Sequence, residues 1–522
     1  MTAREAIHAV ADPDSLRVWD SPPERDPGLS ADYVAQLFAA AGATGSDEAV
    51  VTGEVRVGGQ AAAVLAWEFG FLGGSVGVAT AGRVVSGIRR ATAEGLPLLA
   101  MPRSGGTRMQ EGTPAFMQMA AIMAAVAEHR AAGLPYLVHL CHPTTGGVLA
   151  TLGSGGDITS AEPGAMVGFL GPRAYQAITG RQFPEGVQTA EHLMSVGIID
   201  HVLSWPELRE MWLTVLRLWD HRPGQPSSPG PAHPSSRDAR GPAPTSDPPT
   251  SDPPTSLPTA DPGPRQPLPG ERSPGPHSPE ELWDHVLATR LRDRVGASEF
   301  FEAHVTDAIG LPGTAAGEVA DGALVGVGRL DGVPVLLAAT TDRRSGRPLT
   351  VGGLRTVRRG IALAGRWGLP VVTVVDTLGA QLSVEAETSG IAGEVSRVLL
   401  DLVSARTPTV ALLLGAGTGG AALAMLCTDR VVASSRAWVC PLAPEGAAAI
   451  RHGGTDDPAQ MAWEQRIGAH SLAEMGFVDR LVSESDPGWL SVAAREVGSA
   501  LTEVLAGEDP RRRVERFQAW GG

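Results

Sequence analysis

Lysine is missing from all 522 residues, so each of the 42 strong cations is an arginine. That absence excludes a Walker-type phosphate loop, a Schiff-base nucleophile and an attachment point for biotin or lipoyl. Cysteine is scarce too. Cys141, Cys427 and Cys440 form no CxxC pair and no zinc spacing, so no metal site is expected. Few, unpaired thiols fit a reducing cytoplasm. The opening residues, Met1 to Asp14, have no apolar core of the kind a secretory signal needs. Positive charge is in deficit: 57 acidic side chains leave a net charge of −15 with histidine neutral, which repels nucleic-acid phosphate. The two dense basic runs, Arg511–Arg513 and Arg358–Arg359, read as solvated helix faces. Long hydrophobic runs are rare. The segment Pro408 to Thr428 is uncharged for about the length of a membrane span. Gly415, Gly417, Gly419 and Gly420 break it, so a buried strand, a turn and a helix are expected there instead of a span.

The length exceeds one ordinary core, and composition divides it. From residue 221 to 279 the chain is proline, serine, glycine, aspartate and threonine with almost no aliphatics, including the tandem TSDPPTSDPPTS. Such a stretch cannot bury enough apolar surface to offset its ordering entropy, and a disordered linker is expected. It separates an N-terminal unit, 1–220, from a C-terminal unit, 280–522. The two look like distant copies. In the first, the apolar run Leu134–Leu140 leads to Gly146-Gly147, then to Ala165–Phe169, and ends at Gly197–Asp200. In the second, Thr407–Leu414 leads to Gly419-Gly420, then to Ala437–Cys440, and ends at Gly476–Asp479. Helical patterns such as Phe116–His129 and Leu354–Trp367 lie between strands whose residues are apolar throughout. Each unit is therefore α/β and layered, and a tandem duplication with the site between the copies is the expectation.

Paired glycine after a buried strand and before an apolar helix recurs in both units. Missing side chains let a ligand reach the backbone, and helix-start N–H groups present the positive end of the dipole to an oxyanion or enolate. Abundance competes with this reading, since 65 of 522 residues are glycine against a usual share of about 7%; repetition of the same placement favours function. Two pattern matches carry less. Residues Gly415 to Gly420 satisfy GxGxxG, but no strand ends in an acidic residue about twenty positions on, as a dinucleotide site requires. Residues Gly73 to Gly77 satisfy the nucleophile-elbow pattern GxSxG, but Trp67 to Leu72 before them reads as an ordinary strand.

Four segments of the first unit resemble the β subunit of bacterial acetyl-CoA carboxylase carboxyltransferase: Phe71–Gly77, Ser104–Gly112, Pro143–Val148 and Ala161–Arg173, with Leu193–Asp200 continuing the likeness. The second unit is more loosely similar to the α subunit, through Asp376–Ala380, Glu385–Glu387, Gly415–Ala422 and Pro444–Ala448. The resemblance implies two tandem crotonase-like domains and a transfer of the carboxyl group of carboxybiotin to the α-carbon of a short acyl-CoA. Acetyl-CoA giving malonyl-CoA, in fatty acid biosynthesis, is the substrate it suggests. It further implies a biotin carboxylase and a biotin carboxyl carrier as partners, and a homo-oligomer in which each site joins the N-half of one protomer to the C-half of another.

Two oxyanion holes are implied, one for the thioester enolate and one for the ureido oxygen of biotin. By position Gly146 and Gly147 would serve one, and Gly420 and Ala421 the other. The same likeness places Gly105, Gly106, Gly419, Arg108 and Arg173 against substrate. Arg103 and Arg108 meet coenzyme A phosphates or are structural, which the sequence leaves open, and His142 reads as a loop residue and not a base. The chain departs from the family in lacking the four-cysteine zinc ribbon, in Leu378 where proline is usual and in Thr418 where serine is usual. Two other readings stand beside this one: a biotin-independent decarboxylase of malonyl thioesters, and a non-catalytic assembly partner.

Overall fold

The structure, a computed structural model, describes residues 1–220, 275–341, 348–452, 457–507 and 511–518. Most of the expected linker, 221–274, lies outside the described residues; its last residue, Pro279, opens the helix Pro279–Thr289.

Apolar runs in each half form one sheet, and the two sheets follow one plan. In the first, the hairpin Val50–Val57 and Gln60–Trp67 is antiparallel, and Leu98–Met101, Tyr136–Leu140, Ile158–Ala161 and His201–Val202 follow in parallel. In the second, the antiparallel pair is Ala323–Leu330 and Val333–Thr340. The parallel strands are Val371–Thr377, Thr409–Thr418, Arg430–Ser434 and Arg480–Val482. The internal duplication read from the sequence is thus repeated strand by strand. Helices cover both faces of each sheet, as continuous apolar strands require. Ala3–Val10 and Trp205–Asp220 cover the outer face of the first sheet, and Ala297–His304 and Trp489–Leu505 that of the second.

The inner faces share a single core. It includes Val84 and Ile88 from Val78–Ala93, residues 116–126 of Gly112–Ala131, Leu354 and Val357 from Val351–Trp367, and Val395 and Leu399 from Ile391–Val403. Gly112–Ala131 is buried nearly all round because helices of both halves pack on it. The segment 408–428 forms the strand Thr409–Thr418 and the helix Gly419–Leu426. Among the described residues no helix is long and apolar enough to cross a membrane.

Three local expectations need correction. The strand at Trp67 stops there, and residues 68–71 turn. Glu68 swings inward, where its carboxylate accepts N–H bonds from Ala3 at 3.0 Å and Gly70 at 3.2 Å. Within the basic run at 511–513, Arg513 does not lie on a solvated face. Arg513 is 1% exposed and clasps Asp429 at 2.6 Å and the carbonyls of Leu402 and Thr407, while Phe517 seats the helix Arg511–Gln518 in the shared core. The side chains of Arg511 and Arg512 lie outside the description. Arg358 and Arg359 are likewise half-buried: Arg358 pairs with Asp401 at 2.8 Å, and Arg359 donates to the Gly313 carbonyl at 2.6 Å.

Candidate functional site

Each half places the dipeptide Gly-Gly at the same structural spot. Thr145 ends the short strand Thr144–Thr145, and the helix Gly146–Leu149 begins; Thr418 ends Thr409–Thr418, and Gly419–Leu426 begins. The leading glycine is left-handed in both, with φ of 66° at Gly146 and 73° at Gly419, a conformation that disfavours a β-carbon. Gly147 and Gly420 follow in the first helical turn, whose N–H groups have no partner inside their own helix. Among the described residues neither N–H has a recorded acceptor. All four glycines are partly exposed within otherwise buried sequence. The conformational counterpart of Gly146-Gly147 is therefore Gly419-Gly420, one residue earlier than the expected pairing of Gly420 with Ala421. Ala421 matches Val148 and is fully buried.

The second turn packs against the N-half. A β-carbon built on Gly420 would lie 3.8 Å from Ala150 Cβ and 4.0 Å from Phe169 Cε2, both in the N-half. A β-carbon on Gly147 would point inward, 3.0 Å from Thr107 Oγ1, so bulk added there strains the interior and does not plug the open side. The meeting halves belong to the same chain, whereas the resemblance implied halves from two protomers.

Residues 104–107 lie directly on the first turn. A β-carbon on Gly146 would sit 3.3 Å from Gly106 Cα. The N–H groups of Gly105 and Gly106 are spent inside the protein, however, on the Gly73 carbonyl at 2.9 Å and Ser104 Oγ at 3.0 Å. They support the turn and are not free donors to a substrate. Arg108 also needs correction. It is fully buried, donates to Glu48 Oε1 at 2.7 Å, the Ser75 carbonyl at 2.7 Å and Thr80 Oγ1 at 3.0 Å, and so cannot reach a coenzyme A phosphate. Burial pushes the Glu48 carboxyl upward, and the Arg108 charge and hydrogen bond outweigh it, leaving Glu48 below the usual carboxylate range. Arg103 is likewise engaged, with the carbonyls of His142 and of Met1, the latter at 2.7 Å. Arg173 sits in the first turn of Pro172–Thr179; its side chain lies outside the description. His142 is exposed, and its Nδ1 accepts the Met166 N–H at 3.0 Å, a loop role as expected.

Sequence reasoning quoted Glu387 in a motif without a role, and overlooked Gln188 and Glu48. Glu387 is 7% exposed and reaches from the C-half into the N-half. Its carboxylate accepts the N–H of Phe169 at 2.9 Å and the amide of Gln188 at 2.7 Å. Burial raises its pKa, and these bonds pull only partly back. Nothing in the local sequence marks Glu48 as the partner of an arginine sixty residues on; only packing joins them.

Comparison with known proteins places each half. The carboxyl transferase domain family matches residues 26–235, and the acetyl co-enzyme A carboxylase carboxyltransferase-like family matches 279–508. The chain is 45% identical to the probable biotin-dependent acyl-coenzyme A carboxylase beta3 subunit of Mycobacterium tuberculosis, covering 100% of this chain and 99% of that one. It is 34% identical to the acetyl-coenzyme A carboxylase carboxyl transferase subunits beta/alpha of Salinispora tropica, over 100% and 91% of the two chains. A solved structure of transcarboxylase 12S, whose title describes hexamer assembly and substrate binding to a multienzyme core, aligns over 98% of this chain and 90% of that one. Its identity is 21% and its TM-score 0.36.

Proposed function

Because this chain belongs to the carboxyltransferases of biotin-dependent acyl-CoA carboxylases, with both crotonase-like halves fused in one polypeptide, we propose that it carboxylates the α-carbon of a short acyl-CoA, acetyl-CoA foremost. The observation that carries this reading is the pair of matched Thr-Gly-Gly turns, each with a left-handed first glycine and a partly exposed second one whose N–H meets no acceptor among the described residues.

Those turns fit two oxygen ligands, a thioester carbonyl and the ureido carbonyl of biotin. With no lysine in these 522 residues, biotin comes on a separate carrier protein, charged by a biotin carboxylase. Biotin supplies the carboxyl group as CO2 and a ureido nitrogen that takes the α-proton. The chain's own part is electrostatic. Gly147 N–H donates to the thioester oxygen as the C–H bond breaks and negative charge moves onto that oxygen. The charge returns through the α-carbon as its new bond to CO2 forms. Gly420 N–H, with Gly419 setting its direction, holds the ureido oxygen opposite. Arg108 and Glu48 hold the segment beneath the first turn rigid, and Phe169 and Ala150 shield the interface from water. In a homo-oligomer the same interface can form between copies, because exchange of a half preserves every contact.

The test is incubation of the purified chain with a carboxylated biotin carrier and acyl-CoAs of graded length. Malonyl-CoA formed from acetyl-CoA, at higher kcat/KM than the longer homologues, is the expected result. No carboxylated product with any acyl-CoA would overturn the reading, and loss of CO2 from malonyl-CoA without any biotin would replace it with the decarboxylase.

A further inference from the structure

Residues 169–171 follow the strand Val167–Gly168, which pairs with Thr144–Thr145 at the head of the first turn, and lie beside the second turn. The Phe169 ring stands beside Gly420, and a β-carbon on Gly171 would lie 3.6 Å from Thr145 Oγ1, the residue that precedes the first turn. This segment is held from the other half. The Phe169 N–H reaches Glu387 Oε1 at 2.9 Å and Oε2 at 3.0 Å, and the Leu170 N–H reaches Oε1 at 3.4 Å. Gln188 completes the clasp, its amide donating to Glu387 Oε1 at 2.7 Å and to the Leu170 carbonyl at 2.8 Å. Gly168 makes room for it: a β-carbon there would overlap the Gln188 amide at 2.3 Å.

Among the described residues every hydrogen bond to this carboxylate comes from the N-half, although Glu387 sits on the C-half helix Val384–Thr388. A carboxylate buried on N–H groups instead of a cation is costly, and an apolar residue would fill the same seam at less cost. Hydrogen bonds supply what apolar packing lacks, a fixed direction and distance.

We propose that Glu387 is a positioning residue for carboxyl transfer: by gripping the Phe169 and Leu170 amides across the interface, it sets the separation and register of the two glycine turns. This rests on the function proposed above. A half-bonded turn still binds acyl-CoA in the N-half, so loss of the grip lowers kcat and leaves KM for acyl-CoA near its original value. A misplacement of about 1 Å costs on the order of a hundredfold in rate.

The experiment compares Glu387→Ala, Glu387→Gln, Gln188→Leu and, as control, Glu385→Gln, whose side chain is exposed on the same helix. Two readouts are taken on the full chain: steady-state carboxyl transfer, and deuterium exchange of the peptide that contains Phe169 and Leu170. Expected are a fall in kcat of about a hundredfold for Glu387→Ala with KM within about twofold, and faster exchange confined to that peptide. Glu387→Gln keeps one oxygen for the same donors and restores about a tenth of the wild-type rate. Glu385→Gln behaves as wild type. Unchanged exchange at Phe169 and Leu170 in Glu387→Ala overturns the proposal, as does wild-type kcat in that variant. If the wild-type chain transfers no carboxyl group, the function itself fails, while the exchange measurement still decides the grip. Should Glu387→Ala not fold, Gln188→Leu and Glu387→Gln give the same two readouts.

Discussion

The two glycine turns share a backbone and differ in what braces them. Beneath the first, a buried arginine meets a buried glutamate: Arg108 and Glu48 are both fully inaccessible, and Glu111 and Tyr33 close around them. Against the second stands apolar matter, with Val395 3.1 Å and Ala150 3.8 Å from where a β-carbon of Gly420 would be. Its helix Gly419–Leu426 carries no polar side chain at all. Charged groups serve the second strand lower down, where Asp376 accepts the Ala416 N–H at 2.9 Å and Arg294 binds the Leu414 carbonyl at 2.6 Å. The two turns are thus alike in backbone geometry and differ in support.

If the first turn depends on buried charge, Glu48→Ala is the most damaging single change. It takes from Arg108 its nearest carboxylate, leaving Glu111 at 3.5 Å, and a loss of about 3–5 kcal/mol is expected in urea unfolding; a loss under about 1 kcal/mol would show that the charges do not brace the turn. Next in size is the contrast between Gly146→Ala and Gly419→Ala. The first adds a methyl group 3.3 Å from Gly106 Cα to a left-handed residue and should cost a hundred- to a thousandfold in kcat. The second meets only the Pro441 carbonyl at 3.8 Å, so it pays about 1–2 kcal/mol for the backbone alone. Equal losses in kcat would erase the difference between the two supports.

The comparison also has a pH signature. Glu48 sits below its ordinary range in the folded protein, so the stability it contributes is present above the unfolded carboxylate pKa and is lost as pH falls through the folded value. Acid titration followed by hydrogen exchange should loosen residues 104–112 before the peptide that begins at Gly419. Simultaneous loosening, or the reverse order, contradicts the assignment. Smallest are two changes away from either brace. Ser396→Ala removes one buried bond between the halves, Ser396 Oγ to the Thr151 carbonyl at 2.9 Å, and should lower stability by about 1 kcal/mol. His142→Ala should reduce kcat by less than about tenfold, since proton removal is assigned to biotin and not to this exposed ring.

How much was legible is best seen residue by residue. Thr145-Gly-Gly and Thr418-Gly-Gly were visible because a buried strand, a glycine pair and an apolar helix form a local pattern. Helix Gly112–Ala131 was visible as a helical pattern over Phe116–His129, and its burial on nearly every side was not read from the sequence. Its second partner was not visible, because periodicity states that a face must be covered and never by which element. Arg108 and Arg513 misled for a related reason. Arg108 stands between threonine and methionine and Arg513 ends a run of arginines, and neither setting names the carboxylate, Glu48 or Asp429, that packing supplies.

The sequence by itself therefore determined the duplicated α/β plan, the two paired-glycine turns and the lack of any lysine side chain in these 522 residues, since each follows from residue type and near-neighbour spacing. Only the tertiary structure decided that Ala421 is buried and matches Val148, that Gly105 and Gly106 spend their amides internally, and that Glu387 grips Phe169 across 218 residues of chain. Those outcomes depend on left-handed torsions and on burial, and burial is a property of the neighbours a residue acquires, which no local pattern contains.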